Sequence, residues 1–136
     1  MRILVRCTGN SARSQMGEGW FHHFAPHLEV ESAGFKPKGV NPFAIEAMRE
    51  VGLDISGQTS KAMFELPSLA FDCVITVCAT AETACPAFPG KTKRLFWPHI
   101  DPAAVQGSDA EKLQAFRTVR DQLQDRIRVF VAELKV

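Results

Sequence analysis

No stretch of this 136-residue sequence approaches the roughly 20 consecutive apolar residues that a membrane-spanning helix needs. The opening residues, MRILVRCTGN, lack a long apolar run followed by small residues, so no signal peptide is expected and the cytoplasm is the expected location. An excess of charge of one sign is also missing. Lys and Arg number 16 against 15 Asp and Glu, a net charge of +1, which argues against a broad basic surface for nucleic acid. A local anion site stays compatible with that balance, because local fields do not follow net charge. Internal repeats, low-complexity segments and linkers are absent. The loop after the first strand, CTGNSARS at 7–14, holds no Gly-Lys-Ser/Thr, so it is not a nucleotide-type phosphate loop. The four histidines, His22, His23, His27 and His99, show no spacing that would complete a zinc site with cysteine, and neither metal nor cofactor is expected. What is present is ordinary for a soluble globular chain: 46% hydrophobic and 23% charged residues. The length fits one domain, 1–136, large enough to bury a core without disulfide staples, and a monomer is expected.

Periodicity supplies the elements. Residues 2–6 read as a short buried strand, followed by a small polar loop. A helix comes next, with Met16, Trp20, Phe21 and Phe24 on one face, stopped by Pro26. Residues 28–33 read as a second strand. Asn41-Pro42 starts a helix, Asn as N-cap and Pro at the first helical position. Its apolar face is Ala44, Ile45, Met48 and Val51, and Gly52 sits where a C-cap belongs. Residues 57–70 look irregular, with one helical turn around 62–66. The run DCVITV at 72–77 is typical of a central parallel strand. Residues 79–84 form a short helix before Pro86, and 93–97 form a last strand. Residues 109–135 make the longest helix, its stripe being Leu113, Phe116, Val119, Leu123, Ile127, Phe130 and Leu134. This alternation predicts an α/β domain: three layers, a four-stranded parallel sheet with helices on both faces, and a ligand site at the carboxyl ends of the strands. Cys7 and Cys78 each directly follow a strand. If those strands are neighbours, about 4.8 Å apart, the two sulfurs share one sheet edge.

Three motifs carry chemistry. The first is Cys7-x5-Arg13-Ser14. A free thiol with a pKa of about 8.5 is mostly protonated at neutral pH, and the nucleophile is the thiolate. The loop Thr8-Gly9-Asn10-Ser11-Ala12 offers backbone N–H groups, and the helix after it adds positive potential. A ring of N–H groups around a sulfur also fits a tetrahedral oxyanion. Arg13 can hold two oxyanion oxygens in a fork. Ser14 can donate to the thiolate, Gly9 lets the backbone turn inward, and Asn10 tolerates left-handed geometry. The second motif is Cys78-x6-Cys85, two thiols two helical turns apart, read as a redox pair, a zinc half-site or two small hydrophobes. Cys73, inside an apolar strand, reads as a buried inert thiol. The third is Asp101-Pro102. Loss of an oxygen from an oxyanion needs a general acid, which a carboxyl on a loop provides, although Asp-Pro is also a common turn.

These residues resemble the thioredoxin-coupled arsenate reductases, which share the fold of the low-molecular-weight protein tyrosine phosphatases. The resemblance runs through CTGNSARSQMGEGW at 7–20, ESAGF at 31–35, GVNPFAIEAMREVGLDISGQTS at 39–60, VITVCATAETACPAFP at 74–89, FWPHIDPA at 96–103 and FRTVRDQL at 116–123. It implies arsenical detoxification by a redox-active disulfide. Cys7 attacks arsenate held by the 8–13 loop and Arg13, Asp101 protonates the departing oxygen, and Cys78 and then Cys85 relay the disulfide to thioredoxin. The alternative is a low-molecular-weight protein tyrosine phosphatase, which needs the loop and Asp101 but neither Cys78 nor Cys85. Aromatic residues at its entrance would favour it, and the chain has no tyrosine. A weak phosphatase side activity is compatible with the first reading. Two positions depart from relatives. Ala12 stands where many have a second loop cysteine. Lys61 stands where an aspartate would complete a potassium site with Asn10, Glu18 and Ser32, so an ammonium can take the ion's place there, or Lys61 is a solvated loop lysine. Seven helical residues span about 10.5 Å, whereas a disulfide needs Cα atoms about 4.4–6.8 Å apart. A helical 79–84 segment must therefore unwind if Cys78 and Cys85 join.

Overall fold

Side-chain alternation along the first strand divides the molecule into layers. In β1 (Arg2–Arg6), Ile3 and Val5 enter one apolar cluster and Leu4 enters another, because successive strand side chains point to opposite faces. The same split runs through β3 (Cys73–Thr76), where Cys73 and Ile75 join the first cluster and Val74 the second. With β2 (Glu29–Ala33) and β4 (Lys93–Phe96) these strands form one parallel sheet in the order β2-β1-β3-β4. Arg6 sits opposite both Ala33 and Thr76, and Thr76 opposite Phe96. The computed structural model describes residues 1–7, 9–34, 37–68, 70–77 and 92–134. The short helix expected at 79–84, together with Thr8, Cys78 and Cys85, lies outside them. Among the described residues no helix is long and apolar enough to cross a membrane.

Three helices, α1 (Arg13–Phe24), α2 (Pro42–Arg49) and α3 (Asp109–Leu134), contribute to the first cluster. Met16, Trp20 and Phe21 come from α1, Ala44, Ala47 and Met48 from α2, and Phe116, Val119, Leu123, Ile127 and Val131 from α3. Each large side chain buried this way contributes about 1.5–3 kcal/mol. The second face is covered by a 3-10 turn, Met63–Glu65, whose Met63 packs with Leu66 and Phe71 on Leu4 and Val74. This turn falls where one helical turn was expected. The start of α2 is as read: the Asn41 side chain accepts from the Phe43 N–H at 2.8 Å, with Pro42 in the first turn. Its end differs in detail. The helix stops at Arg49, and the chain turns through Gly52 at φ +83°, so Val51 points to solvent and Ala47 takes the core position instead.

The α1, α2 and α3 packing carries polar ties that a search for apolar periodicity passes over. Trp20 Nε1 donates to the Arg120 carbonyl at 3.1 Å. Arg120, buried within the α3 stripe, donates to the Ala47 carbonyl at 2.9 Å and to Glu50 at 3.0 Å. Arg117 grips the same Glu50 carboxylate at 2.8 and 2.6 Å. At Gly19, an added Cβ would lie 2.8 Å from Ile55 and 3.1 Å from Met48, so α1 approaches its neighbours more closely there than any side chain allows.

The two arginines hold the Glu50 carboxyl down, Arg117 most of all, from its ordinary 4.5 to about 2. Between those values the unfolded chain binds a proton that the folded chain does not, so stability rises with pH through that window. The contribution of Glu50 is complete above pH 4.5 and lost as the pH falls towards 2. Glu50→Gln is expected to lower the thermal midpoint at pH 7, the difference from the parent closing by about pH 2. Thermal unfolding of both proteins across that range checks this.

Candidate active site

The carboxyl edge of the sheet holds a cleft of about 620 Å3. Cys7, the residue after β1, lines it together with Gly9, Ser11, Ala12 and Arg13. Cys7 is anchored by its N–H on the Ala33 carbonyl at 3.2 Å. The neighbouring strand leaves the sheet at the same edge, where the Val77 N–H donates to the Arg6 carbonyl at 3.1 Å. β1 and β3 are thus adjacent, as the placement of Cys7 and Cys78 at one edge required, although Cys78 itself lies outside the described residues.

The loop between Cys7 and α1 is shaped by what its carbonyls touch. The Gly9 carbonyl accepts from the Lys38 N–H at 3.0 Å and from the Ser60 hydroxyl at 3.4 Å. Those of Asn10, Ser11 and Ala12 accept from Gln15 Nε2 at 3.0 Å, Asn41 N–H at 2.9 Å and Met16 N–H at 2.9 Å. In a trans peptide the carbonyl of one residue and the N–H of the next point in opposite directions. Four carbonyls turned outward therefore turn the N–H groups of Asn10, Ser11, Ala12 and Arg13 inward. Among the described residues none of these four N–H groups donates to a protein acceptor. They leave a concave nest of the kind that binds anions.

The turn depends on Asn10, which is fully buried at φ +44°. Its side chain donates to Ser14 Oγ at 2.9 Å and accepts from the Lys61 N–H at 2.8 Å. Because Ser14 Oγ accepts this bond, the hydroxyl proton remains available to donate. Gln15 is held in turn by Gln58, whose Nε2 donates to its side-chain oxygen at 2.8 Å.

Arg13 reaches across the cleft to the loop after β4. Its Nη1 donates to the His99 carbonyl at 3.1 Å, and Nη2 lies 3.8 Å from Asp101 Oδ2. Its Nε is buried with no hydrogen-bond partner among the described residues. A buried donor left unsatisfied costs about 1–3 kcal/mol, a cost that a bound oxyanion would remove. Asp101 is half-exposed, and its Oδ1 caps the 3-10 turn Pro102–Ala104 by accepting from the Ala103 N–H at 3.0 Å. That cap fixes the carboxyl over the cleft facing Arg13. His99 also lines the cleft, its Nδ1 donating to the Trp97 carbonyl at 2.7 Å. Burial, above all, pushes the His99 imidazole below its ordinary value, so it is neutral at pH 7.

The proposed cation residues divide. Glu18 and Ser32 meet at 2.5 Å, but the other Glu18 oxygen faces His22 Nε2 at 3.1 Å. Lys61 bonds Asn10 through its backbone, and among the described residues no ion pair joins Lys61 to Glu18. The expectation that the Lys61 ammonium replaces an ion is not what the geometry shows, because His22 takes that side of the carboxylate. Asn10 Oδ1 already accepts from the Lys61 N–H, and the two Glu18 oxygens are engaged by Ser32 and His22. Cys73 lies at the other end of β3, opposite Ile3, four residues or about 13 Å from Cys7. Burial pushes its thiol up to about 11. Reading for side-chain chemistry missed Lys38, Gln15, Gln58, Ser60 and His99. Only His99, two residues before Asp101, had a local signal.

The comparisons fall on this geometry. Residues 2–136 match the family described as low molecular weight phosphotyrosine protein phosphatase. An arsenate reductase of Halalkalibacterium halodurans is 46% identical over 94% of this chain and 93% of its own, and one of Bacillus subtilis is 44% identical with the same coverage. A solved arsenate reductase in the phosphate binding state is 34% identical, with a TM-score of 0.78 over 97% of both chains. An arginine phosphatase structure at 22% identity, with a TM-score of 0.81, shares the fold.

Asn10 provides the test of the loop. Asn10→Ala should lose both side-chain bonds and meet the left-handed penalty of about 1–2 kcal/mol, for a total destabilisation of about 2–4 kcal/mol, with loss of oxyanion binding. Asn10→Gly should recover the backbone part only. Denaturant unfolding with phosphate titration by calorimetry separates the two contributions.

Proposed function

The chain belongs to the low-molecular-weight phosphotyrosine protein phosphatase family, and we propose that it reduces arsenate to arsenite through Cys7, Cys78 and Cys85, with thioredoxin as the final reductant. One observation supports this reading most: beside Cys7, four inward N–H groups and the buried Arg13 Nε all lack partners among the described residues. A tetrahedral oxyanion is the ligand that satisfies five convergent donors. The arsenate reductases among the relatives give the oxyanion its identity.

The steps follow from the groups present. The Cys7 thiolate attacks arsenic, and an arsenic–oxygen bond breaks. Asp101 gives its proton to the departing oxygen, which leaves as water. The loop N–H groups and the Arg13 fork hold the remaining oxygens, so charge is stabilised without reorganisation. Ser14 donates to the thiolate before attack. Cys78 then attacks the Cys7 sulfur. The sulfur–arsenic bond breaks with its electron pair on arsenic, releasing arsenite and leaving a Cys7–Cys78 disulfide. Cys85 attacks Cys78 and frees Cys7, and thioredoxin reduces the Cys78–Cys85 disulfide by the same exchange chemistry. The alternative, hydrolysis of a phosphate monoester, uses the same loop and Asp101 but ends with water attacking the phospho-enzyme.

The order of thiols is testable by single replacements, followed as arsenite release with thioredoxin, thioredoxin reductase and NADPH, beside aryl phosphate hydrolysis. Cys7→Ser should abolish both activities. Cys85→Ser should permit one turnover and trap the Cys7–Cys78 disulfide. Cys73→Ser should leave the cycle running. Sustained thioredoxin-dependent turnover by Cys85→Ser would exclude the relay, and aryl phosphate turnover without arsenite release would favour the phosphatase.

A further inference from the structure

We propose that Lys38 determines the charge preference of the cleft, acting as the cation that lets a multiply charged oxyanion approach the Cys7 thiolate; the inference rests on the oxyanion reading above. Lys38 lines the cleft, and its own N–H on the Gly9 carbonyl at 3.0 Å pins it to the anion loop. Among the described residues its ammonium makes neither an ion pair nor a hydrogen bond. An ammonium without a partner among the described residues, on a lysine whose backbone is held at the rim of an anion site, is available to the ligand.

The charges lining the cleft say why it is needed. Arg13 carries one positive charge, but Asp101 lies 3.8 Å away and cancels most of its long-range field. His99 is neutral, and among the described residues no other acidic or basic side chain lines the cleft. The attacking thiolate adds a negative charge. Until Asp101 takes up the proton it later gives to the departing oxygen, these groups without Lys38 sum to −1, and the cleft repels the dianion it must bind. With Lys38 they sum to zero, and the short-range donors of the loop decide the outcome. A rim charge of this kind acts on encounter and its salt dependence more than on events after binding.

The test compares alkylation of Cys7 by iodoacetate, an anion, and by iodoacetamide, which is neutral, read at the Cys7 peptide by mass spectrometry. The ratio of the two rates cancels differences in thiolate content and folding. Lys38→Met should lower the ratio several-fold at low salt, and Lys38→Arg should keep it. High salt should bring the parent ratio down to that of Lys38→Met, because exposed charges are screened. In parallel, the inorganic phosphate needed for half-saturation in calorimetry should rise roughly tenfold in Lys38→Met, and the KM for arsenate should rise by more than kcat falls. An unchanged ratio and unchanged phosphate affinity in Lys38→Met would overturn the proposal. If the parent released no arsenite while the ratio and phosphate affinity still moved as stated, the reductase reading would fall and the role of Lys38 would stand.

Discussion

The planarity of four peptide bonds governs the site. Once the carbonyls of residues 9–12 are bonded to donors outside the loop, the N–H groups that follow them have one direction left. Each such bond adds only about 1 kcal/mol of net stability. Its geometric effect is larger, because it prepays the orientation of a donor that would otherwise have to turn at the moment of binding. The donors come from three places: α1 itself, the 38–41 segment leading into α2, and residue 60 before the 3-10 turn. The cleft is therefore only as well formed as the packing of those segments on the sheet. Burial of Ala44, Met48 and Ile55, far from any chemistry, holds the outer donors in register.

The parallel sheet gives this loop its position. Adjacent strands β1 and β3 end at one edge, and the loop after β4 brings Asp101 to the same edge from the far side. The first turn of α1 holds no acidic residue, so nothing of its own offsets the positive potential of the helix N-terminus. Asp101 then has two tasks divided between its oxygens. One caps the short turn that follows, and the other faces Arg13. A carboxyl fixed at one oxygen can exchange a proton at the other without losing its place.

Much of this was legible in the sequence, and the omissions have a common cause. The strands, the three helices, the N-cap at Asn41 and the loop of Cys7 to Arg13 each announce themselves within a dozen residues, through local periodicity or a local motif. Arg120 was missed because a search for apolar spacing passes over a charged residue, although its stem and its bonds to Ala47 and Glu50 bury it in the stripe. The sequence places Val51 inside because the apolar periodicity runs two residues past Arg49, where the helix ends before the chain turns through Gly52. Lys38, Ser60 and Gln58 act through a backbone N–H, a hydroxyl and a side-chain amide on residues at least 29 positions away, and no spacing within a sequence records such a meeting. The Lys61 expectation failed similarly. The identity of the residue was visible, but not that its backbone, rather than its ammonium, reaches Asn10.

Cys7 and Cys73 sit in the same core but differ in what surrounds each sulfur. Each is only 3% exposed, so burial does not distinguish them. Cys73 is enclosed by strands whose N–H groups are committed to the ladder, and a negative charge there has little to meet it; its thiol stays protonated to about pH 11. Cys7 lies four residues further along, where the ladder has run out and the next N–H groups belong to an open loop. There a negative charge faces the start of α1, the Arg13 guanidinium and donors with no other partner among the described residues. The relevant quantity is thus the number of unspent donors within reach of the sulfur. The fold sets that number by where along the strand the cysteine falls. One apolar core can therefore hold both thiols at equal depth and give only one of them an environment suited to the anion.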